Sequence, residues 1–183
     1  MIVAIISVIC VIIVGSIPPS TLSTPKLPGN EDDWKLVWSD EFDTLDATKW
    51  KIMHDGSGGG NNEAQFYVTD LKNVSVKDGI LKIMAIKENY SGKSYTSGKL
   101  VSHNAESEAK NSWTHGYFKI RAKIPKGTGT WPAIWMLPEN PMHWPDDGEI
   151  DIMENVGKEP DVIHCTLHSK TTRNIEKFWF LEV

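Results

Sequence analysis

The stretch Gly148-Glu149-Ile150-Asp151-Ile152-Met153-Glu154-Asn155 alternates acidic with apolar residues. Such alternation is typical of a half-buried β-strand, in which the isoleucines face a core and Glu149 and Asp151 face the other way. Strict alternation would put Glu154 on the core side, where an unpaired carboxylate is costly. A β-bulge at Ile152 or Met153 adds one residue and turns Glu154 toward the other two acids. We therefore predict a bulged strand with a pair of catalytic carboxylates; the simpler alternative is an exposed acidic strand.

Short alternating segments recur elsewhere in the chain. The clearest is His115–Ile124, and Val162–His168 alternates as well. The segments 74–76 and 80–86 flank the turn 77–79, which is a hairpin signature. Many short strands, frequent Gly and Pro turns and no helical periodicity predict an all-β fold, a two-sheet β-sandwich.

Length and composition restrict the class of protein. A chain of 183 residues is long enough for one domain with its own core. The net charge of −5 argues against a nucleic-acid partner, which would need a basic face. Tryptophan is unusually common, with eight residues against five Phe and four Tyr. Tryptophans often form platforms for sugar rings, although packing in a core is their commoner use.

The N-terminal region differs from the rest. We predict residues 1–16 to be a secretory signal peptide and 17–33 to be a linker, so the chain is expected to be secreted and extracellular. The apolar run 2–14 would form a helix of only about 20 Å, so a membrane anchor is the lesser alternative and no membrane partner is expected. Either way the segment is expected to lie outside the fold. Cys165 would be the one cysteine of the mature chain, which excludes an internal disulfide.

Two glycosylation sequons, Asn73-Val74-Ser75 and Asn89-Tyr90-Ser91, are expected to lie on the surface.

Several chemically useful residues are expected on one face of the sheet. Arg121, His164 and His168 alternate with apolar residues, as the acids do, and a curved sheet would gather them over one ligand. Taken singly, Arg121 also fits a surface residue and each histidine a neutral hydrogen-bonding group. The histidines lack a third ligand at zinc spacing, and the acids at 146–154 lack the calcium-loop pattern, so we expect neither metal nor cofactor.

Paired carboxylates suit the hydrolysis of a glycosidic bond. One group attacks or assists at the anomeric carbon as a carboxylate, and the other donates a proton to the leaving oxygen. A third acid, Asp151, would help to hold their pKa values apart. Trp131 and Trp135 fall on one face of a strand and fit a sugar platform, or equally a core position, and Trp144 comes shortly before the acidic strand.

The acidic stretch resembles the active-site strand of glycoside hydrolase family 16, in its laminarinase-type endo-β-1,3-glucanase branch. Further similar segments follow the family's order: Trp38-Ser-Asp-Glu-Phe42, Gly60-Asn-Asn-Glu-Ala-Gln65, Tyr95-Thr-Ser-Gly98, Arg121-Ala-Lys-Ile-Pro125 and Trp131-Pro-Ala-Ile-Trp135. The resemblance implies a concanavalin A-like jelly roll with a concave cleft. It also implies a retaining enzyme that cleaves internal β-1,3 bonds of β-glucans.

By the same resemblance, Glu149 would be the nucleophile, Asp151 the assisting residue and Glu154 the general acid/base. The implied substrate-contacting positions are Asn62, Arg121, Trp131, Trp135 and His168.

The resemblance fades after His168. We therefore expect residues 34–168 to be a partial catalytic domain and 169–183 a divergent tail, with the C-terminal strands of the jelly roll lacking. Unpaired sheet edges, an uncovered apolar face and no structural calcium would follow. Two alternatives stay open: a non-catalytic β-1,3-glucan-recognition protein, and an inactive truncated isoform. The three acids of the catalytic strand favour the enzyme.

Overall fold

The fold is built from short β-strands. A computed structural model describes the backbone of residues 2–8 and 12–14 and all atoms of residues 34–171. The strands are β1 Ile2–Val8, β2 Ile12–Val14, β3 Lys51–Ile52, β4 Gln65–Tyr67, β5 Val74–Lys77, β6 Ile80–Ile83, β7 Ile86–Tyr90, β8 Lys93–Val101, β9 Pro132–Pro138, β10 Glu149–Glu154 and β11 His164–His168. These ranges contain no helix, and hence none long and apolar enough to cross a membrane. The all-β prediction is confirmed.

The strands form two sheets with a core between them. In the described ranges the larger sheet has the order β11-β10-β9-β1-β8-β3, with β4 and β7 also paired to β8, and the smaller sheet has the order β2-β6-β5. Both sheets and the segment 42–50 contribute to one buried cluster, made of Phe42, Trp50, Val74, Leu81, Ile83, Leu100 and Ile134. This is the predicted two-sheet sandwich, and it fixes β9, β10 and β11 side by side.

The sheets approach closely at Gly98 in β8. A methyl group on this residue would lie 2.3 Å from Cγ2 of Val74 and 2.9 Å from Cγ2 of Ile83. Both neighbours are fully buried in the smaller sheet. Glycine at this point of the Tyr95-Thr-Ser-Gly98 segment therefore allows the sheets to pack.

We expected the N-terminal apolar segment to lie outside the fold, but its described residues form two strands of the sheets. β1 pairs antiparallel with β8 and β9, and β2 pairs with β6. A run of Ile and Val suits a strand between two others as well as a secretory leader, so hydropathy alone does not separate these outcomes. The secretory role of residues 1–16 stays a prediction, and residues 17–33 and 172–183 lie outside the described ranges.

The clearest alternating segment is not a strand. Residues 115–122 follow irregular backbone, and Phe118 and Ile120 are 37 % and 39 % exposed. Alternation indicates one apolar face, but a strand also needs a neighbouring strand to pair its N–H and C=O groups. Over residues 115–122 the strand prediction is therefore wrong.

The two sequons differ in accessibility. Asn73 is fully buried, and its side-chain amide donates to the Met84 carbonyl and to Thr96 Oγ1, both at 3.0 Å. The predicted surface position is wrong for Asn73, because this asparagine satisfies buried acceptors. Asn89 is exposed.

Candidate active site

The acidic strand β10 carries a β-bulge before Glu154. Against β9, Asp151 pairs with Trp135 and Glu154 with Ala133, so three steps along β10 match two along β9. Against β11, Asp151 pairs with Thr166 and Glu154 with His164, again three steps against two. Ile152 has no partner in either register. The predicted bulge is confirmed at this residue.

Each of the three carboxylates on β10 has a partner from another part of the chain. The Trp131 indole N–H donates to Glu154 Oε1 at 2.9 Å. Asp151 Oδ2 lies 3.0 Å from Nε2 of His168 on β11. The Trp144 indole N–H donates to Glu149 Oε2. The bulge thus brings Glu154 to the side of the sheet where Glu149 and Asp151 lie.

Burial separates the protonation behaviour of these acids. Asp151 is only 5 % exposed, and burial, together with the charges of Glu154 and Glu149, raises its pKa to about 8. Its carboxyl group therefore keeps a proton at neutral pH and hydrogen-bonds to Glu149. Burial also raises the pKa of Glu154, while the hydrogen bond from Trp131 acts in the opposite direction. Acids whose environments differ in this way are suited to acid/base catalysis.

A partly buried lysine, Lys99, lines the same face of the sheet. Lys99 Nζ lies 5.1 Å from the ring centroid of Trp135 and 5.6 Å from that of Tyr67, within cation–π range. Burial lowers the pKa of Lys99, while the negative charges of Asp55, Glu63 and Glu149 oppose that shift. Sequence reasoning missed this residue. The available signal was that Lys99 is the single charge within residues 94–102.

Trp144 is a second residue whose role was missed, although its position before β10 was noted. Its ring lies 5.6 Å from that of His168, and its indole N–H bonds to Glu149. Trp144 thus contacts one of the acids directly and the histidine that contacts another. No periodicity could reveal this, because Trp144 comes from a loop.

The predicted substrate-contacting residues fall into two groups. Trp131, Trp135 and His168 lie at the carboxylates, through the contacts above and the pairing of Trp135 with Asp151. Asn62 is exposed in the glycine-rich loop, with a positive φ of 55°. Arg121 is exposed at the irregular segment 115–122. Contact of these five residues with a substrate stays a prediction.

Comparison with known proteins gives consistent matches. Residues 66–179 match the family model described as "XgeA-like, catalytic GH16 domain". A beta-glucanase of Rhodothermus marinus is 49 % identical over 150 residues, which are 78 % of this chain and 51 % of that protein. A glucan endo-1,3-beta-glucosidase of Cryptopygus antarcticus is 40 % identical over 145 residues, 74 % of this chain and 51 % of that protein.

A solved structure agrees with these matches. The laminarinase from Rhodothermus marinus superimposes with a TM-score of 0.68 and 50 % identity, covering 75 % of this chain and 56 % of that one. The chain spans about half the length of the curated relatives it matches.

Proposed function

This chain belongs to glycoside hydrolase family 16, and we propose that it is a secreted enzyme that cleaves internal β-1,3-glucosidic bonds of β-glucans such as laminarin. The observation that carries the proposal is the bulged strand β10, which presents Glu149, Asp151 and Glu154 on one side of the sheet with different electrostatic surroundings. β-Glucan is the proposed partner.

In the first step, Glu149 attacks the anomeric carbon as a carboxylate and forms a glycosyl–enzyme bond. The bond to the leaving sugar breaks, and Glu154 gives its proton to the leaving oxygen. Burial of Glu154 raises its pKa and favours the protonated form that this step needs. The Trp131 indole N–H then stabilises the carboxylate that remains.

In the second step, water replaces Glu149 at the anomeric carbon. Glu154 takes a proton from the water, the new C–O bond forms, and Glu149 leaves as a carboxylate. Two inversions give overall retention. Protonated Asp151 donates to Glu149, which stabilises the negative charge that returns there, and His168 holds Asp151 in place.

The aromatic residues at the site fit a pyranose ring. Trp131 and Trp135 come from one end and the middle of the β9 region, next to Glu154 and Asp151 respectively. Indole faces pack against the apolar faces of sugar rings while the ring hydroxyls bond elsewhere. Lys99, next to Trp135, supplies hydrogen-bond donors for those hydroxyls.

The test is the release of reducing ends from laminarin. Wild type is expected to release them, and Glu149→Gln to lower kcat/KM by several orders of magnitude, because an amide cannot form the glycosyl–enzyme bond. Glu108→Gln, at an exposed position, is the matched control and should behave like wild type. NMR of the first product should show the β-anomer.

Three outcomes would contradict parts of the proposal. Equal hydrolysis by wild type and Glu149→Gln would exclude Glu149 as nucleophile. An initial α-anomer would exclude retention. Laminarin binding without any hydrolysis would favour the glucan-recognition alternative.

A further inference from the structure

We propose that Cys165 is a positioning residue for the acid/base Glu154: its thiol holds the bulge of β10 by donating a hydrogen bond to the carbonyl oxygen of Ile152. This rests on the proposed function for the role of Glu154. Sequence reasoning treated Cys165 only as an unpaired cysteine, and no step of the mechanism uses it.

The geometry places the thiol at the irregular point of the strand. Cys165 Sγ lies 3.1 Å from the Ile152 carbonyl oxygen. In the pairing of β10 with β11, Ile152 and Met153 lie opposite Cys165, between the pairs Asp151–Thr166 and Glu154–His164. Ile152 is the residue that has no partner in the register of β9 either. A side chain of β11 thus reaches the one residue of β10 that the strand register leaves unmatched.

The bulge determines where Glu154 points. Strand side chains alternate, so a strand of the same sequence without the bulge would turn Glu154 to the opposite face. Because the ladder is disrupted at a bulge, the backbone there needs contacts from outside the ladder to hold one geometry. The hydrogen bond between Trp131 and Glu154 Oε1, at 2.9 Å, depends on that geometry two residues earlier. Cys165 supplies a contact at the bulge itself.

The thiol is held in its donor form by the site it supports. Cys165 is half-buried, and burial raises the pKa of its thiol, as do the charges of Asp151 and Glu154 once these acids are ionised. It therefore stays protonated at neutral pH and donates its S–H, since a thiolate has no proton to give.

Leaving-group dependence separates positioning from plain packing. Natural β-glucan linkages have a poor leaving group and need the proton of Glu154, whereas 2,4-dinitrophenolate leaves without one. A cavity that loosens the whole site would slow both kinds of substrate. Displacement of Glu154 alone would slow the first step, formation of the glycosyl–enzyme bond, only for the natural substrate, while the second step is common to both substrates.

The experiment compares wild type, Cys165→Ala and Cys165→Ser on a laminari-oligosaccharide and on the same sugar bearing a 2,4-dinitrophenyl group. Cys165→Ala is expected to lower kcat on the oligosaccharide by about 10- to 100-fold, with KM nearly constant, because part of the general-acid contribution is lost. Glycosylation by the dinitrophenyl substrate should change by less than about threefold. Cys165→Ser keeps a donor and should recover most of the oligosaccharide rate. If Cys165→Ala does not fold, Cys165→Val removes the donor with less lost volume and is judged in the same way.

Two results would overturn the proposal. One is an equal change in the glycosylation rate, the rate of the first step, on both substrates, including no change on either. The other is a Cys165→Ser variant as slow as the variant without a donor.

A readout independent of turnover separates this proposal from the proposed function. The Trp131 indole N–H resonance reports its bond to Glu154; it should shift in Cys165→Ala and return toward the wild-type position in Cys165→Ser. If wild type hydrolyses no β-glucan, the proposed function fails, while this resonance still decides the positioning role. An unmoved resonance in Cys165→Ala would exclude that role.

Discussion

Asp151 is the most deeply buried of the three acids on β10, and its charge state links the proposed catalysis to stability. Two carboxylates flank it, and His168 Nε2 lies 3.0 Å from its Oδ2. With its pKa raised to about 8, Asp151 holds a proton in the folded protein that it loses in the unfolded chain near its ordinary pKa of 3.8. Protonated Asp151 can donate to Glu149, so the arrangement that suits the nucleophile also makes the fold sensitive to pH.

The first prediction concerns the sign of that sensitivity. Between about pH 4 and pH 8 Asp151 holds a proton in the folded state that it lacks in the unfolded state, so its contribution to the free energy of unfolding falls as pH rises. Asp151→Asn removes this titration, and its stability relative to wild type should therefore improve from pH 5 to pH 8. Urea unfolding at both pH values measures it. Asp161→Asn, at an exposed position, should keep the wild-type pH dependence. A variant Asp151→Asn with that same dependence would contradict the assignment.

At the scale of the element, Gly98 shows how the two sheets come together. A Cβ atom at this position would point at buried methyl groups of Val74 and Ile83, and any larger residue must displace them. This close approach holds β8, and through it the part of the larger sheet that carries the three acids, against β5 and β6.

The second prediction follows from this contact. Gly98→Ala should lower the free energy of unfolding by about 1–3 kcal/mol, because an added methyl group overpacks a filled interface. Gly116→Ala is the matched control, since a Cβ there meets only Phe118 at an ordinary 3.5 Å. Thermal unfolding of both variants decides it. A Gly98→Ala variant with the stability of wild type would show that the two sheets can move apart to accommodate a methyl group.

The sequence predicts elements well where the local pattern and the pairing agree. The hairpin 74–86 became β5 and β6, and the bulged acidic strand became β10, because turn residues and a misplaced acid report local geometry. Segment 115–124 and β1 were mispredicted, because strand formation there depends on which distant segment is adjacent. The contacts of Trp144, Lys99 and Cys165 with the site were missed for the same reason.

At the scale of the whole molecule, apolar surface is exposed next to the larger sheet. A groove of about 480 Å³ is lined by residues of the segment 113–118 and of the larger sheet: Trp113, Thr114, His115, Gly116, Phe118, Met136, Ile150 and Ile152. Leu167 on β11 is 49 % exposed, and β11 is the last strand of this sheet in the described ranges. An apolar side chain on an edge strand favours association with other chains.

The third prediction concerns this edge. Leu167→Lys should slow aggregation at micromolar concentration, because a charge on an edge strand opposes sheet-to-sheet pairing. Light scattering over time at 37 °C provides the measurement. Leu71→Lys adds the same charge at a more exposed position outside the strands and should have little effect. If Leu167→Lys aggregates as fast as wild type, the surface responsible for association lies elsewhere.

At the bulge, β10 has one residue more than each of its neighbouring strands. From Asp151 to Glu154 both neighbouring strands advance two residues while β10 advances three, so the neighbours already have the spacing of a shorter strand. Deleting Met153 would bring the three strands into phase and leave the alternating sequence Glu-Ile-Asp-Ile-Glu. All three acids would then share one face without a bulge.

The final prediction is that the deletion variant folds and keeps measurable β-glucanase activity, whereas deletion of Ile150, between Glu149 and Asp151, should abolish it. Activity on laminarin and the circular dichroism spectrum measure both. In the chain without Met153 there is no extra residue whose carbonyl Cys165 could hold. Adding Cys165→Ala should therefore lower the activity on laminarin much less than it does in wild type. If Cys165→Ala lowers the activity of the deletion variant as much as that of wild type, the thiol acts on something other than the extra residue.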